Sequence, residues 1–143
     1  GARVLDAGCG SGILAIAAAK LGAVSVLAVD VDPDCVRITA ENATANAVDD
    51  RVQARSICAS DRSWADDVAV DLVVANIIAA TILDLAPTFL RALAGGGRLI
   101  ASGIIGARED EVREGLAGLG LRIEQVRAIG EWRCIEASAP GPV

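Results

Sequence analysis

The sequence predicts a doubly wound α/β domain, with a seven-stranded and mostly parallel sheet that ends in an antiparallel hairpin. Short apolar runs alternate along the chain with stretches of helical periodicity. The first apolar run leads directly into a glycine-rich turn, Gly8-Cys9-Gly10-Ser11-Gly12. Strands that alternate with helices pair in parallel, because each crossover helix returns the chain to the same edge of the sheet. Ligands of such folds bind at the carboxyl ends of the strands.

Each element has its own local signal. Residues 25–31 form a continuous apolar run, which is typical of a strand buried on both faces. Asp32 and Pro33 begin a helix, because aspartate caps free N–H groups and proline suits the first turn. Pro87 predicts a kink or two short helices around it. The predicted strands span residues 3–7, 25–31, 51–57, 70–75, 98–102, 121–128 and 132–138. The predicted helices span residues 13–21, 33–46, 78–93 and 108–119.

The connections near the C-terminus are predicted from glycines. Gly95-Gly96-Gly97 is expected to form a turn before the fifth strand, and Gly130 to form the turn of the hairpin. Leu119 is expected to face inward from the last helix. We expect the domain to span residues 1–138, with residues 139–143 as a frayed tail.

Composition limits the kind of protein. The chain has 143 residues, of which 53% are hydrophobic and 22% charged, enough for one domain with a buried core. Only 2% are aromatic, so the core is expected to consist of Ala, Val, Leu and Ile. The net charge of −6 argues against binding of a nucleic-acid backbone through bulk charge and leaves open a single-stranded or a localised basic site. No apolar run reaches the roughly 18 residues of a membrane span. Neither nucleic acid nor a membrane is expected as a direct partner.

The sequence contains no histidine, which excludes His-based catalytic triads, His-ligated zinc and imidazole bases within this chain. No metal site is expected. The cysteines lie far apart without a Cys-x-x-Cys pair, which argues against a zinc knuckle or a thioredoxin-like site. They are expected to be reduced and mostly buried thiols of a cytoplasmic protein: Cys9, Cys35, Cys58 and Cys134.

The glycine-rich turn is the strongest functional signal. Gly8 and Gly10 let a ligand approach the main chain, and the following helix offers unpaired N–H groups with a partial positive charge. The dinucleotide motif needs a third glycine where Ile13 stands, and the Walker motif needs a lysine that the turn lacks. Asp6 would repel a pyrophosphate there and favour a cationic amine. S-adenosylmethionine fits these features, because it carries an amine, a carboxylate and a ribose but no phosphate.

Two further acidic residues and a valine are candidates for the nucleoside. Asp30 ends the second predicted strand, where a carboxylate can accept hydrogen bonds from both ribose hydroxyls. Asp30 could instead cap the helix that follows, although Asp32 is already placed for that role. Val31 is expected to pack against the adenine ring. The sequence does not distinguish this contact from ordinary packing in the core. Asp61 is a candidate for the adenine amine at the end of the third strand, with a solvated loop acid as the alternative.

Asn76 is the candidate catalytic residue. It follows the buried fourth strand, so its amide is expected to face the ligand cleft, where it can accept from an amine N–H through its carbonyl oxygen. The alternative is that Asn76 caps the next helix. The sequence names no general base for deprotonating an amine.

These residues together resemble the class I S-adenosylmethionine-dependent methyltransferases, with their Rossmann-like seven-stranded sheet. Within that class the chain is most similar to the PrmA family, whose substrate is a protein of the large ribosomal subunit. The Asn-Ile-Ile-Ala sequence after the fourth strand narrows the resemblance most. The similarity extends to about Ser138. Its segments are residues 4–17, 29–33, 74–79, 85–87, 102–104 and 131–132.

The resemblance implies a protein N-methyltransferase that uses S-adenosylmethionine to trimethylate lysine side chains and an N-terminal amine. Carried over by position, Gly8, Asp30 and Asn76 are cofactor contacts. The family's N-terminal substrate-recognition domain is expected to be absent from this chain, because the sequence contains no methionine and starts at Gly1 almost directly on a strand. No leader peptide is expected.

Two other functions remain open. The chain could serve another class I N-methyltransferase that acts on a small molecule or a different protein. It could also be a non-catalytic cofactor-binding module, although its acidic and glycine residues are intact. A nicotinamide-dependent oxidoreductase is disfavoured by the glycine spacing.

Overall fold

A computed structural model describes residues 1–141 of the chain. Its described part contains a single seven-stranded sheet with helices on both faces. The strands are β1 (Arg3–Ala7), β2 (Ser25–Asp30), β3 (Val52–Ser56), β4 (Val70–Asn76), β5 (Leu93–Ile105), β6 (Arg122–Ile129) and β7 (Trp132–Ser138). The α-helices are α1 (Ile13–Lys20), α2 (Pro33–Ala45), α3 (Ala79–Ala92) and α4 (Glu109–Gly118).

The strand order is β3-β2-β1-β4-β5-β7-β6, and β7 runs antiparallel to both of its neighbours. The other neighbouring pairs are parallel. The chain therefore winds outward in one direction from β1 to β3 and in the other from β4 onward. The order reverses between β1 and β4, which opens a crevice at their carboxyl ends. The predicted fold class is confirmed.

The core consists of two clusters, one on each face of the sheet. The cluster beneath α1 and α2 is built from small residues such as Ala15, Ala19 and Val26. The cluster beneath α3 and α4 holds larger ones such as Ile82 and the fully buried Phe89. The core is almost wholly aliphatic, as the composition predicts.

Several local details differ from the predictions. α3 is a single helix through Pro87, which excludes the alternative of two short helices. Leu119 is 37% exposed, while the 2% exposed Leu121 packs into the core instead. The cysteines are free, but only Cys9 is buried, because the others lie on a helix surface, a loop and the hairpin.

The three-glycine segment lies inside β5 rather than before it. Val70 pairs with Leu93 and Leu72 pairs with Arg98, so the residues between Leu93 and Arg98 bulge out of the ladder. Gly96 has a φ of 79°, which a residue with a side chain rarely adopts.

The chain after β7 is held against this bulge. The Gly96 N–H donates to the Pro140 carbonyl (3.0 Å), and the Ala139 N–H donates to the Gly97 carbonyl (2.8 Å). Residues 139 and 140 are therefore held in place, and the prediction that they belong to a frayed tail was wrong. The last two residues of the predicted tail, 142 and 143, lie outside the described part of the chain. Among the helices of residues 1–141, none is long and apolar enough to cross a membrane.

Candidate functional site

The glycine-rich turn between β1 and α1 forms the centre of the candidate site. Gly8, Gly10 and Gly12 have φ values of 77°, 55° and 84°, in the left-handed region that favours glycine. The Gly8 N–H donates to the Val29 carbonyl (2.9 Å), which fixes the turn to β2. A Cβ on Gly8 would lie 2.6 Å from Ile77 Cγ2, whereas a Cβ on Gly10 would meet nothing within 4 Å. The turn is packed at Gly8 and open to a ligand at Gly10.

Asp30 lies beside this open part of the turn. Its Oδ2 accepts from the Gly10 N–H and its Oδ1 from the Asp32 N–H, both at 3.0 Å. Asp32 caps α2 by accepting from the Asp34 N–H (2.9 Å), so the helix-cap alternative for Asp30 is wrong. A carboxylate has about four lone-pair directions, so each Asp30 oxygen keeps one free for a ligand hydroxyl.

Val31 and Asp61 are placed differently from one another. Val31 is 55% exposed directly after β2, which excludes the core-packing alternative. Asp61 lies beyond the end of β3 and not at it, since β3 ends at Ser56. The Ser63 N–H donates to its Oδ1 (2.8 Å), and this bond lowers the pKa of the Asp61 carboxyl. The contact of Asp61 with adenine stays a prediction.

Asp6 is buried beneath the first turn of α1. Asp6 is 1% exposed, and its Oδ2 accepts from the Ala15 N–H (3.0 Å), while its Oδ1 has no hydrogen-bond partner among residues 1–141. Burial raises the pKa of the Asp6 carboxyl to about 6; the Ala15 bond opposes this rise and the nearby charge of Asp30 adds to it. Asp6 thus holds the start of α1 in this conformation, and its contact with a cationic amine stays a prediction.

Asn76 ends β4 at the same edge of the sheet, and its side chain is exposed. α3 begins after Ile78 without a side-chain cap, so the helix-cap alternative for Asn76 is wrong. A pocket of about 470 Å³ opens beside Asn76, between the ends of the strands and the β6–β7 hairpin. Its walls are Asn76, Ser102, Gly103, Arg127, Ile129, Trp132, Arg133 and Cys134.

Gly103 lies directly against Asn76. A Cβ on Gly103 would lie 2.8 Å from Asn76 Oδ1 and 2.8 Å from the Ile77 carbonyl oxygen. Only glycine leaves the amide in this position, and the φ of 79° at Gly103 also favours glycine. No local signal in the sequence indicates this contact, because it joins the ends of two neighbouring strands.

Sequence reasoning also missed two residues of α2. The Thr39 hydroxyl lies 3.0 Å from the Gly10 carbonyl oxygen, and Asn42 Nδ2 donates to the Ser11 carbonyl (2.8 Å). Their spacing of three places them on one helix face. The sequence gives no sign that this face meets the glycine-rich turn.

Comparison with known proteins decides the family. The model of the family "Ribosomal protein L11 methyltransferase (PrmA)" matches residues 1–140. The chain belongs to this family. It is 46% identical over 140 residues to a ribosomal protein L11 methyltransferase of Heliobacterium modesticaldum, covering 98% of this chain and 43% of that protein. The chain spans 40–45% of the length of the curated relatives compared with it.

Solved structures agree with the ribosomal protein L11 methyltransferase family and its fold. The ribosomal protein L11 methylase of Lactobacillus delbrueckii subsp. bulgaricus superposes with a TM-score of 0.86 and 38% identity, covering 97% of this chain and 70% of that one. An RNA methyltransferase of Salinibacter ruber, solved with S-adenosyl-L-homocysteine, shares the fold at a TM-score of 0.75 and 20% identity, covering 99% and 83%. These comparisons confirm the resemblance and the methyltransferase fold.

Proposed function

We propose that this chain carries the cofactor-binding and methyl-transferring part of a protein N-methyltransferase that modifies ribosomal protein L11. The observation that carries the proposal is the gathering of Gly10, Asp30 and Asn76 at one edge of the sheet in a chain of this family. Substrate recognition would involve the family's further N-terminal domain, and the site of action would be the cytoplasm. We place the methyltransferase domain at residues 1–140, because residues 139 and 140 are hydrogen-bonded to the bulge of β5.

The residues at this edge fit S-adenosylmethionine. The open backbone at Gly10 and the free N–H groups at the start of α1 suit its methionine end. The remaining lone pairs of Asp30 suit the ribose hydroxyls, and the exposed Val31 suits the adenine ring. Bound there, the cofactor supplies an electrophilic methyl group.

The pocket beside Asn76 suits the amine that accepts the methyl group. A lysine amine must first lose its proton, which costs about 4–5 kcal/mol from a pKa near 10.4 to pH 7. The described walls of the pocket contain two arginines and no carboxylate. Both arginines pair with carboxylates behind these walls, Arg127 with Glu136 (3.1 Å) and Arg133 with Glu109 (2.8 Å), so the walls offer an entering ammonium ion no free carboxylate. Asn76 Oδ1 would orient the amine by accepting one of its N–H groups.

The ribose assignment is tested by Asp30→Asn. This change removes the charge and turns an NH₂ donor toward one of the two backbone N–H groups that Asp30 now accepts. We expect the dissociation constant for S-adenosylhomocysteine to rise about tenfold, measured by isothermal titration calorimetry. NAD should bind neither protein.

Asp32→Asn is the matched control, because asparagine caps a helix as well as aspartate does. It should leave the affinity unchanged. Equal affinity of Asp30→Asn and the wild type for S-adenosylhomocysteine would show that Asp30 does not bind the ribose. Binding of NAD in place of S-adenosylhomocysteine would contradict the proposed function.

A further inference from the structure

The glycine-rich turn is held from behind by two side chains of α2. Thr39 is fully buried, and its Oγ1 lies 3.0 Å from the Gly10 carbonyl oxygen and 3.3 Å from Cys9 Sγ. The carbonyl oxygen is the stronger acceptor, so it takes the hydroxyl proton. One turn further along α2, Asn42 Nδ2 donates to the Ser11 carbonyl at 2.8 Å. Two consecutive carbonyls of the turn therefore point toward α2.

This arrangement determines where the turn presents its donors. In a planar trans peptide the C=O and the following N–H point in opposite directions. Because the Gly10 carbonyl points toward Thr39, the Ser11 N–H points away from α2. Within residues 1–141 this N–H has no backbone acceptor, and Ser11 is exposed. It is thus available to an anionic or carbonyl group at the edge of the sheet.

The fit between the turn and α2 is close. A Cβ on Gly12 would lie 2.9 Å from Thr39 Cγ2 and 3.0 Å from Thr39 Oγ1. Gly12 is also left-handed, with a φ of 84°. The turn can therefore approach Thr39 this closely only with glycine at this position.

We propose that Thr39 and Asn42 are positioning residues that fix the glycine-rich turn in its ligand-binding conformation. This inference rests on the proposed cofactor site. Thr39 is buried behind the turn, so it acts on affinity through the Gly10 and Ser11 peptides rather than by contact. Without the two bonds the turn must be ordered when the ligand binds, and that ordering lowers affinity.

The test compares two threonines of the same helix. Thr39→Val keeps the shape and removes the hydroxyl, leaving the Gly10 carbonyl without this donor. Thr44→Val removes a hydroxyl that bonds only the Ala40 carbonyl of α2 itself. We expect Thr39→Val to raise the dissociation constant of S-adenosylhomocysteine about tenfold, because the turn must then be ordered when the ligand binds. Thr44→Val should not change it, and Thr39→Ser should restore most of the affinity.

Affinity is measured by calorimetry at a temperature where circular dichroism shows every variant folded, and melting temperatures are recorded separately. A lower melting temperature with unchanged affinity would reduce Thr39 to a structural role and overturn the inference. Asn42→Ala, at a half-buried position of α2 outside the core, removes the other bond to the turn, and we expect weaker binding there as well. If the wild type itself fails to bind S-adenosylhomocysteine, it is the proposed function that fails.

Discussion

Gly103→Ala is expected to lower the rate of methyl transfer by about a hundredfold, because small misplacements of reacting groups can cost that much. The new Cβ would lie 2.8 Å from both Asn76 Oδ1 and the Ile77 carbonyl oxygen, so the amide must move. The glycine-rich turn is not touched, and the affinity for S-adenosylhomocysteine should stay close to that of the wild type. The measurement is transfer of a labelled methyl group to ribosomal protein L11 by the protein in its natural length, beside calorimetry.

Gly96→Ala is the matched control for backbone strain. Gly96 and Gly103 both lie in β5 and both have a φ of 79°, but a Cβ on Gly96 would meet nothing within 4 Å. The two variants therefore carry the same unfavourable φ, and only Gly103→Ala disturbs Asn76. We expect Gly96→Ala to lower stability and leave the rate nearly unchanged. Equal rate losses in both variants would contradict the role given to Gly103.

Asn76→Ala measures how much of the rate depends on the Asn76 amide, and the rate loss of Gly103→Ala is compared with it. If Gly103 acts through Asn76, adding Gly103→Ala to Asn76→Ala should lower the rate little further, because the two residues are coupled. Independent effects that multiply would show that Gly103 shapes the pocket in another way. Full methyl-transfer activity of Asn76→Ala would show that Asn76 has no catalytic role.

Asp6→Asn is expected to change how stability depends on pH. The pKa of Asp6 is about 6 in the folded chain, against 3.8 for an aspartate free of such surroundings, so the folded state binds the proton more tightly. The resulting stabilisation is fully present below pH 3.8 and is lost as the pH rises through 6. At about 1.4 kcal/mol per pKa unit, the loss approaches roughly 3 kcal/mol by neutral pH. The asparagine variant lacks this loss.

Urea unfolding between pH 4.5 and 7.5 measures the difference. The free energy of unfolding of Asp6→Asn should rise relative to the wild type as the pH increases across this range. Asp71→Asn is the control: the Arg3 guanidinium holds the pKa of Asp71 at about 2, so its titration lies below the range. Parallel pH profiles for the wild type and Asp6→Asn would refute the raised pKa of Asp6.

The elements of the fold could be predicted from the sequence because their signals are local. The apolar run ending at Asp30 forms β2, and Asp32 with Pro33 starts α2 as expected. The left-handed Gly8 and Gly10 follow from the turn that joins β1 to α1. The alternation of strands and helices is itself enough to bring the ends of β1, β2 and β4 to one edge. In this way the sequence predicted the family and the gathering of the candidate site residues at one edge of the sheet.

Other features were decided only by the tertiary structure. Burial beneath α1, rather than the motif, sets the pKa of Asp6, and the hydrogen bond of Ser63 engages Asp61 away from β3. The support of the turn by Thr39 and the contact of Gly103 with Asn76 join residues far apart in the sequence. Such contacts arise where packed elements meet, and a pattern within one element carries no information about the neighbour that it faces. Local periodicity therefore determined the elements, whereas the packing of α2 and β5 determined which side chains contact the glycine-rich turn and Asn76.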